Sequence, residues 1–433
     1  MSKKNRKKIL IHSKWLFIAL LTCILTIVLI TIFALLQNKN QNQSRSQYSY
    51  EIIPEYDRVM GKIVISLPTK NTLVPALSLD SHFEVLQYIP DYTQIMMILP
   101  ESRVEEIRAR LVKYPIQNKI TLHPFKTRTL KKGHMYLIFA ENDKLVNSGR
   151  MENIIIPKGT VWAQDLFEPA KLSNGKNLLL MPDAYKMFYS EEGDTKEETV
   201  DVQPDNLFVK RLFSETIDGM RTPLVFMGGN ILVDQLNGTR IAFCGGDVLK
   251  DTQIVWRAYY EKLLKKEKFI KMIKKYLNVD KVYILGVKTP QPSYMFHLDQ
   301  TMILLPDGIA GVTNIIGNGS GQNTKDINEI MFFLSEVKSL LKKIGYKLIE
   351  INTSIDGVLN HQFYINSIPY KDKMTGQRML LMPVPNKKPT ADEKALIGKN
   401  ISAFKSVGYD VLTVPSESTE FNGGIHCLIN VIE

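Results

Sequence analysis

Between residues 51 and 433 the chain alternates short apolar runs with longer amphipathic stretches. The runs at 61–67, 92–99, 135–139, 154–156, 178–181, 281–285, 301–305, 311–314, 346–351, 379–382 and 411–414 are rich in Ile, Leu, Val and Met and predict strands. Runs at 231–233 and 240–243 flank Leu236-Asn237-Gly238 and predict a hairpin. Helical spacing appears at 101–113, with a stripe of Val104, Ile107 and Leu111, and again at 326–344 and 390–407. Residues 252–277 predict one long helix or a broken pair. Over 262–275, Leu263, Ile270, Ile273 and Leu277 would face the core, with the lysines as a solvated face. No Pro/Gly-rich break divides 51–433, which reads as one α+β domain, and no internal sequence repeat is visible.

The start of the chain has another pattern. Residues 1–14 hold Lys3, Lys4, Arg6, Lys7, Lys8 and Lys14 and no acid. The 22 residues of 15–36 carry no charge, and at helical rise they span roughly 33 Å, enough for a bilayer core. A cleaved signal has a shorter apolar region and a small-residue cleavage site, so 15–36 predicts a retained transmembrane signal anchor. The basic flank places 1–14 in the cytoplasm and the body outside it. A polar linker, 37–50, connects the anchor to the 51–433 domain.

Charge changes this picture little. Without the six basic residues of the head, the formal net charge of +11 drops to +5, which gives no nucleic-acid signature. Three cysteines are present: Cys23 in the apolar segment, Cys244 after an apolar run, and Cys427 near the C-terminus. Two in an exported body make no disulfide framework, and a Cys244–Cys427 bridge would consume a candidate nucleophile.

Three short runs offer chemistry. Val161-Trp162-Ala163-Gln164-Asp165 sets an acid beside a tryptophan. Phe296-His297-Leu298-Asp299 opens an apolar run, and in an extended chain His297 and Asp299 would share a face. Asn422-Gly423-Gly424-Ile425-His426-Cys427 presents a thiol from a glycine turn. Taken singly, Cys427 reads equally as an inert core thiol or a nucleophile. Together, one thiol, one histidine and two aspartates make a poor zinc site. They suit a planar cationic guanidinium, which two carboxylates can bind by paired hydrogen bonds beside a thiolate.

These runs resemble the motifs of the guanidine-modifying (pentein) superfamily, of the agmatine deiminase and bacterial peptidylarginine deiminase type. Trp162-x-Gln164-Asp165 resembles its Trp-x-x-Asp, Gly228-Gly229-Asn230 its Gly-Gly-Asn run, and His297-Leu298-Asp299 its His-x-Asp. Leu359-Asn360-His361-Gln362-Phe363 resembles its Leu-Asn strand, and Gly423-Gly424-Ile425-His426-Cys427 its terminal Gly-Gly-x-His-Cys. The resemblance implies a five-bladed α/β propeller of ββαβ modules for 51–433, which the transmembrane helix read at 15–36 would precede. It also implies that Asp165 and Asp299 bind the guanidinium, with Trp162 and Asn230 beside it. Cys427 would attack the guanidinium carbon and His297 would act as acid and base. Neither metal nor organic cofactor is implied.

Met227 departs from the family pattern: small-guanidine deiminases carry a glutamate just before Gly-Gly. That departure, Gln164 in place of an arginine, and an extracytoplasmic body all favour arginine in a peptide or protein as the substrate, giving citrulline and ammonia. Agmatine or another small guanidino compound is the alternative, and a binding protein without turnover is a third reading.

Overall fold

The computed structural model describes residues 50–69, 79–114, 116–138, 145–156, 160–183, 186–191, 197–201, 209–260, 262–317, 324–385, 388–416 and 423–433. The expected tail (1–14), anchor (15–36) and nearly all of the linker (37–50) lie outside the described residues. Among those described, no helix is long and apolar enough to cross a membrane. The chain divides into two compact units, Met1–Tyr50 and Glu51–Glu433.

Within the second unit one topology recurs five times: an antiparallel strand pair, a crossover, and a strand parallel to one member of the pair. The third module is the plainest. Ile231–Leu236 pairs antiparallel with Thr239–Gly245, and Lys281–Leu285 returns parallel to the latter. Asn237 and Gly238 join the pair, both at positive φ, which is the two-residue turn that matches strand twist. The fourth module uses Met302–Leu305, Ile309–Ile316, the helix Thr324–Ile344 and Lys347–Ser354. The fifth uses Ile368–Lys371, Arg378–Pro385, the helix Ala391–Lys405 and Asp410–Ser416. That helix starts at a capping box in which Thr390 and Glu393 exchange hydrogen bonds.

Two modules depart from the pattern. In the second, Glu168–Leu172 and Asn177–Met181 pair and Ile217–Arg221 returns parallel. Its crossover carries the strands Lys186–Glu191 and Glu197–Asp201, which join the long hairpin Arg128–Ile138 and Leu145–Ile156 in a separate four-stranded sheet. The first module closes on the other end of the chain. Lys62–Ser66 takes the C-terminal strand Ile429–Val431 as antiparallel partner, and Gln94–Pro100 runs parallel on its other side. No sheet among the described residues closes on itself.

Apolar clusters bind successive modules. Val64, Ile98, Phe167 and Leu179 join the first to the second. Phe243, Leu304, Val312, Leu380 and Phe404 run through the third, fourth and fifth. Ile65, Ile95, Leu381, Val414 and Ile429 join the fifth back to the first. Each such fully buried side chain contributes about 1.5–3 kcal/mol of transfer free energy. Between the second and third, Gly228 is pressed on the Gln164 carbonyl, where a Cβ would stand 2.1 Å from the oxygen.

Two expectations are corrected by the fold. Of the two alternatives for 252–277 the structure has the broken pair, Gly246–Tyr260 and Lys266–Tyr276, but the face that the second helix buries differs from the one expected. The break lets Leu264 enter the core while Leu263 stays 69% exposed, so the buried face is Phe269, Met272, Ile273 and Tyr276 rather than one including Leu263. Residues 359–363 are not a strand: the helix Ile355–Leu359 ends there, and His361 has positive φ.

Candidate active site

A short turn precedes the first strand of each module, and these turns meet. Ala163–Leu166 leads into the second module and Gly228–Asn230 into the third. Leu298–Gln300 leads into the fourth, and the single helical turn Ile425–Leu428 leads into the strand that completes the first. In the fifth, Asn366 lies in the turn before Ile368. A tight turn at a strand start aims its side chain along the module edge rather than into a sheet face. Each module therefore delivers a polar group to the same place.

The predicted residues are brought together there. Cys427 Sγ lies 3.4 Å from Asp299 Oδ2. His297 Nδ1 lies 4.0 Å from Asp165 Oδ1. Gly229 joins the two pairs: a Cβ on it would stand 2.7 Å from Asp299 Oδ2 and 3.0 Å from His297 Nδ1, so only glycine permits this approach. Trp162 packs on the cysteine turn, since a Cβ at Gly423 would stand 2.7 Å from its ring and 3.2 Å from Cys427 Cβ. Asn230 is used otherwise than expected: its Oδ1 accepts the Leu298 N–H at 3.2 Å and so holds the His297–Asp299 turn. His297 and Asp299 converge as foreseen, but for a different reason. His297 caps a 3-10 turn and Asp299 lies inside it, so no shared strand face is involved.

Four contributors escaped the sequence reading of the site. Asn366 donates from Nδ2 to Cys427 Sγ at 3.3 Å, and its Oδ1 accepts the Cys427 N–H at 3.4 Å. Its only signal was a polar residue in an apolar run, just past the 359–363 motif. Met227, noted only as a departure, puts its sulfur 3.1 Å from His297 Nε2. His426 and Glu55 form the third and fourth: His426 Nδ1 lies 2.9 Å from Asp299 Oδ2 and its Nε2 lies 2.9 Å from Glu55 Oε1. Close by, Arg58 pairs with Glu168 at 3.4 Å, both buried.

The electrostatics stem from burial. Burial pushes the Asp165 carboxyl up to about 6, against the pull of His297 and with a further push from Asp299. Burial, then Asp299 and Asp165, hold the Cys427 thiol well above its ordinary value, so among these acids it stays protonated. For His426 burial works downward, but Glu55 and Asp299 outweigh it and the imidazole rises to about 10. Cys244 and Cys427 are both free thiols, and burial puts Cys244 at about 12. Asp299 Oδ1 is buried and has no hydrogen-bond partner among the described residues. An anionic pocket with one idle carboxylate oxygen and a protonated thiol is built for a cationic hydrogen-bond donor. A cavity of about 280 Å³, lined by Phe226, Met227, Asn230, Phe296 and His297, opens beside the histidine. Among the described residues, no group of three or more His, Cys, Asp or Glu is placed to hold a metal ion.

The fold is similar to that of solved agmatine deiminases. The C. jejuni agmatine deiminase superposes with a TM-score of 0.54 at 15% identity, over 89% of this chain and 96% of that one. The Enterococcus faecalis agmatine deiminase gives 0.53 at 14%, over 88% and 95%. A protein provisionally named a peptidyl-arginine deiminase gives 0.53 at 15%, over 88% and 98%. No family model matches the sequence, and no curated protein matches it.

Proposed function

We infer that the protein hydrolyses a guanidinium group to a ureido group and ammonia, with a small guanidino compound such as agmatine as substrate. The observation that carries this is the meeting of Asp165, His297, Asp299 and Cys427, from three separate modules, in one buried pocket. Asp165 and Asp299 hold the cation. Its charge offsets the two acids that keep Cys427 protonated, so the thiol gives its proton to His297. The thiolate then forms a C–S bond to the guanidinium carbon. His297 returns the proton to the departing nitrogen, the C–N bond breaks, and ammonia leaves a thiouronium. His297 next takes a proton from water, whose oxygen attacks the same carbon. Collapse breaks the C–S bond, the hydroxyl proton passes to solvent where ammonia takes it up, and the proton on His297 returns to sulfur.

The small-substrate reading replaces the order the sequence suggested. It is supported by the likeness to two agmatine deiminases and by a nucleophile that is only 6% exposed. Arginine in a peptide stays as the second reading, favoured by the apolar segment 15–36, since an exported enzyme meets proteins. The test is a panel of agmatine, free arginine and doubly blocked arginine, assayed with the full chain for ammonia and ureido product. Agmatine should give the highest kcat/KM. Blocked arginine leading would reverse the ranking, and no ammonia from any member would leave a guanidine-binding protein.

Membrane attachment through 15–36, with 51–433 outside the cytoplasm, belongs to the same proposal. Protease added to intact cells should digest the 51–433 body. A body protected until the cells are lysed would refute that topology.

A further inference from the structure

Asp299 Oδ2 is a shared atom. His426 Nδ1 and Cys427 Sγ both lie on it, at 2.9 and 3.4 Å. Its other oxygen, Oδ1, has no partner among the described residues. The far edge of the His426 ring meets Glu55 Oε1 at 2.9 Å, and the residue is 4% exposed. A ring with a carboxylate on each nitrogen satisfies both only by donating from both, that is, as imidazolium.

The geometry points to His426 as a positioning residue: clamped between Glu55 and Asp299, it fixes Asp299 so that Oδ1 alone meets the guanidinium. The clamp rests on reading Asp299 as a guanidinium ligand. A carboxylate free to rotate would offer either oxygen, or both, and the bound carbon would lose its place relative to Cys427. The clamp removes that freedom. It also sets a fixed cation next to a pocket crowded with acid. Glu55, Asp299, Asp165 and Glu168 surround the ring, with Arg58, His297 and the Cys427 thiol as the other ionisable groups near it. Glu55 is held below its ordinary range because His426 and Arg58 overcome the effect of its burial.

A purely structural tie between the Glu55 segment and the cysteine turn predicts only a loss of folded protein. The clamp predicts more. With imidazole nitrogen NMR on the full chain, His426 should stay doubly protonated through pH 9, and in Glu55→Gln it should lose a proton below that pH. Glu55→Gln should then show a new alkaline limb in kcat/KM at the pH where the ring titrates. In His426→Gln the charge is gone, so the midpoint for Cys427 alkylation by iodoacetamide should rise by about one pH unit. Turnover should fall about 100-fold through misplacement. A wild-type His426 that titrates near its ordinary value overturns the inference. So does an unmoved alkylation midpoint in folded His426→Gln, or a Glu55→Gln profile without the new limb. If wild type turns over no guanidine substrate, the functional reading fails, while the NMR and alkylation results still decide whether the clamp exists.

Discussion

Replacing Cys427 by alanine is expected to abolish ammonia release, by about 10⁴-fold or more, while guanidinium binding survives. No other described group can take its place as nucleophile. Cys244 is the second free thiol, but it lies on a strand in the third module and burial holds it at about 12. The proposed ligands for the cation, Asp165 and Asp299, are untouched by the change. Removing the sulfur also removes a group whose ionisation those acids oppose. Calorimetric titration of the alanine variant with the best substrate should therefore give a Kd no weaker than the wild-type KM. Residual turnover above about one part in a thousand would overturn the thiol mechanism, and loss of binding together with turnover would show a collapsed site instead.

The second large effect is a fall in stability as the solution is made alkaline. His426 is held at about 10 in the folded chain against an ordinary 6.5, burial being outweighed by Glu55 and Asp299. Between those two values the folded state binds one proton more than the unfolded state, so raising pH favours unfolding. The contribution is complete below pH 6.5 and gone above pH 10. Each pH unit in that window costs up to about 1.4 kcal/mol per proton. Glu168 adds to it: burial, only partly offset by Arg58, pushes its carboxyl to about 8. Its extra proton in the folded state acts in the same direction up to that pH, so the descent is steepest from 6.5 to 8. Urea unfolding of the full chain at a series of pH values reads this directly, and a midpoint that is flat or rising from pH 7 to 9 would contradict it.

Strands and helices were legible in the sequence where apolar runs end in strong turn chemistry. Asn237-Gly238 and Thr390 with Glu393 mark element ends by local hydrogen bonding and φ preference alone. The fivefold recurrence was legible only through the family resemblance, because the modules share a burial pattern and a topology rather than residues. One crossover even carries two strands of a separate sheet. At the site, the four acid, histidine and thiol positions were found because each sits in a short motif. Asn366 was missed because its partner, Cys427, is 61 positions away. Glu55 and His426 were missed as a pair because 371 positions separate them. The extended-strand argument brought His297 and Asp299 together by the wrong geometry, since the backbone there is a 3-10 turn.

The C-terminal strand has a consequence for the order of assembly. Ile429–Val431 supplies the partner of Lys62–Ser66, so the earliest module waits until residues 429–431 have been synthesised. Pairings of such large sequence separation form late, because chain entropy opposes them until everything between is organised. Cys427 lies just ahead of that strand, and its companions arrive from modules in between. Cys427 is thus kept from its acid and histidine neighbours until that strand is made. The candidate nucleophile and the closure of the first module arrive in a single event.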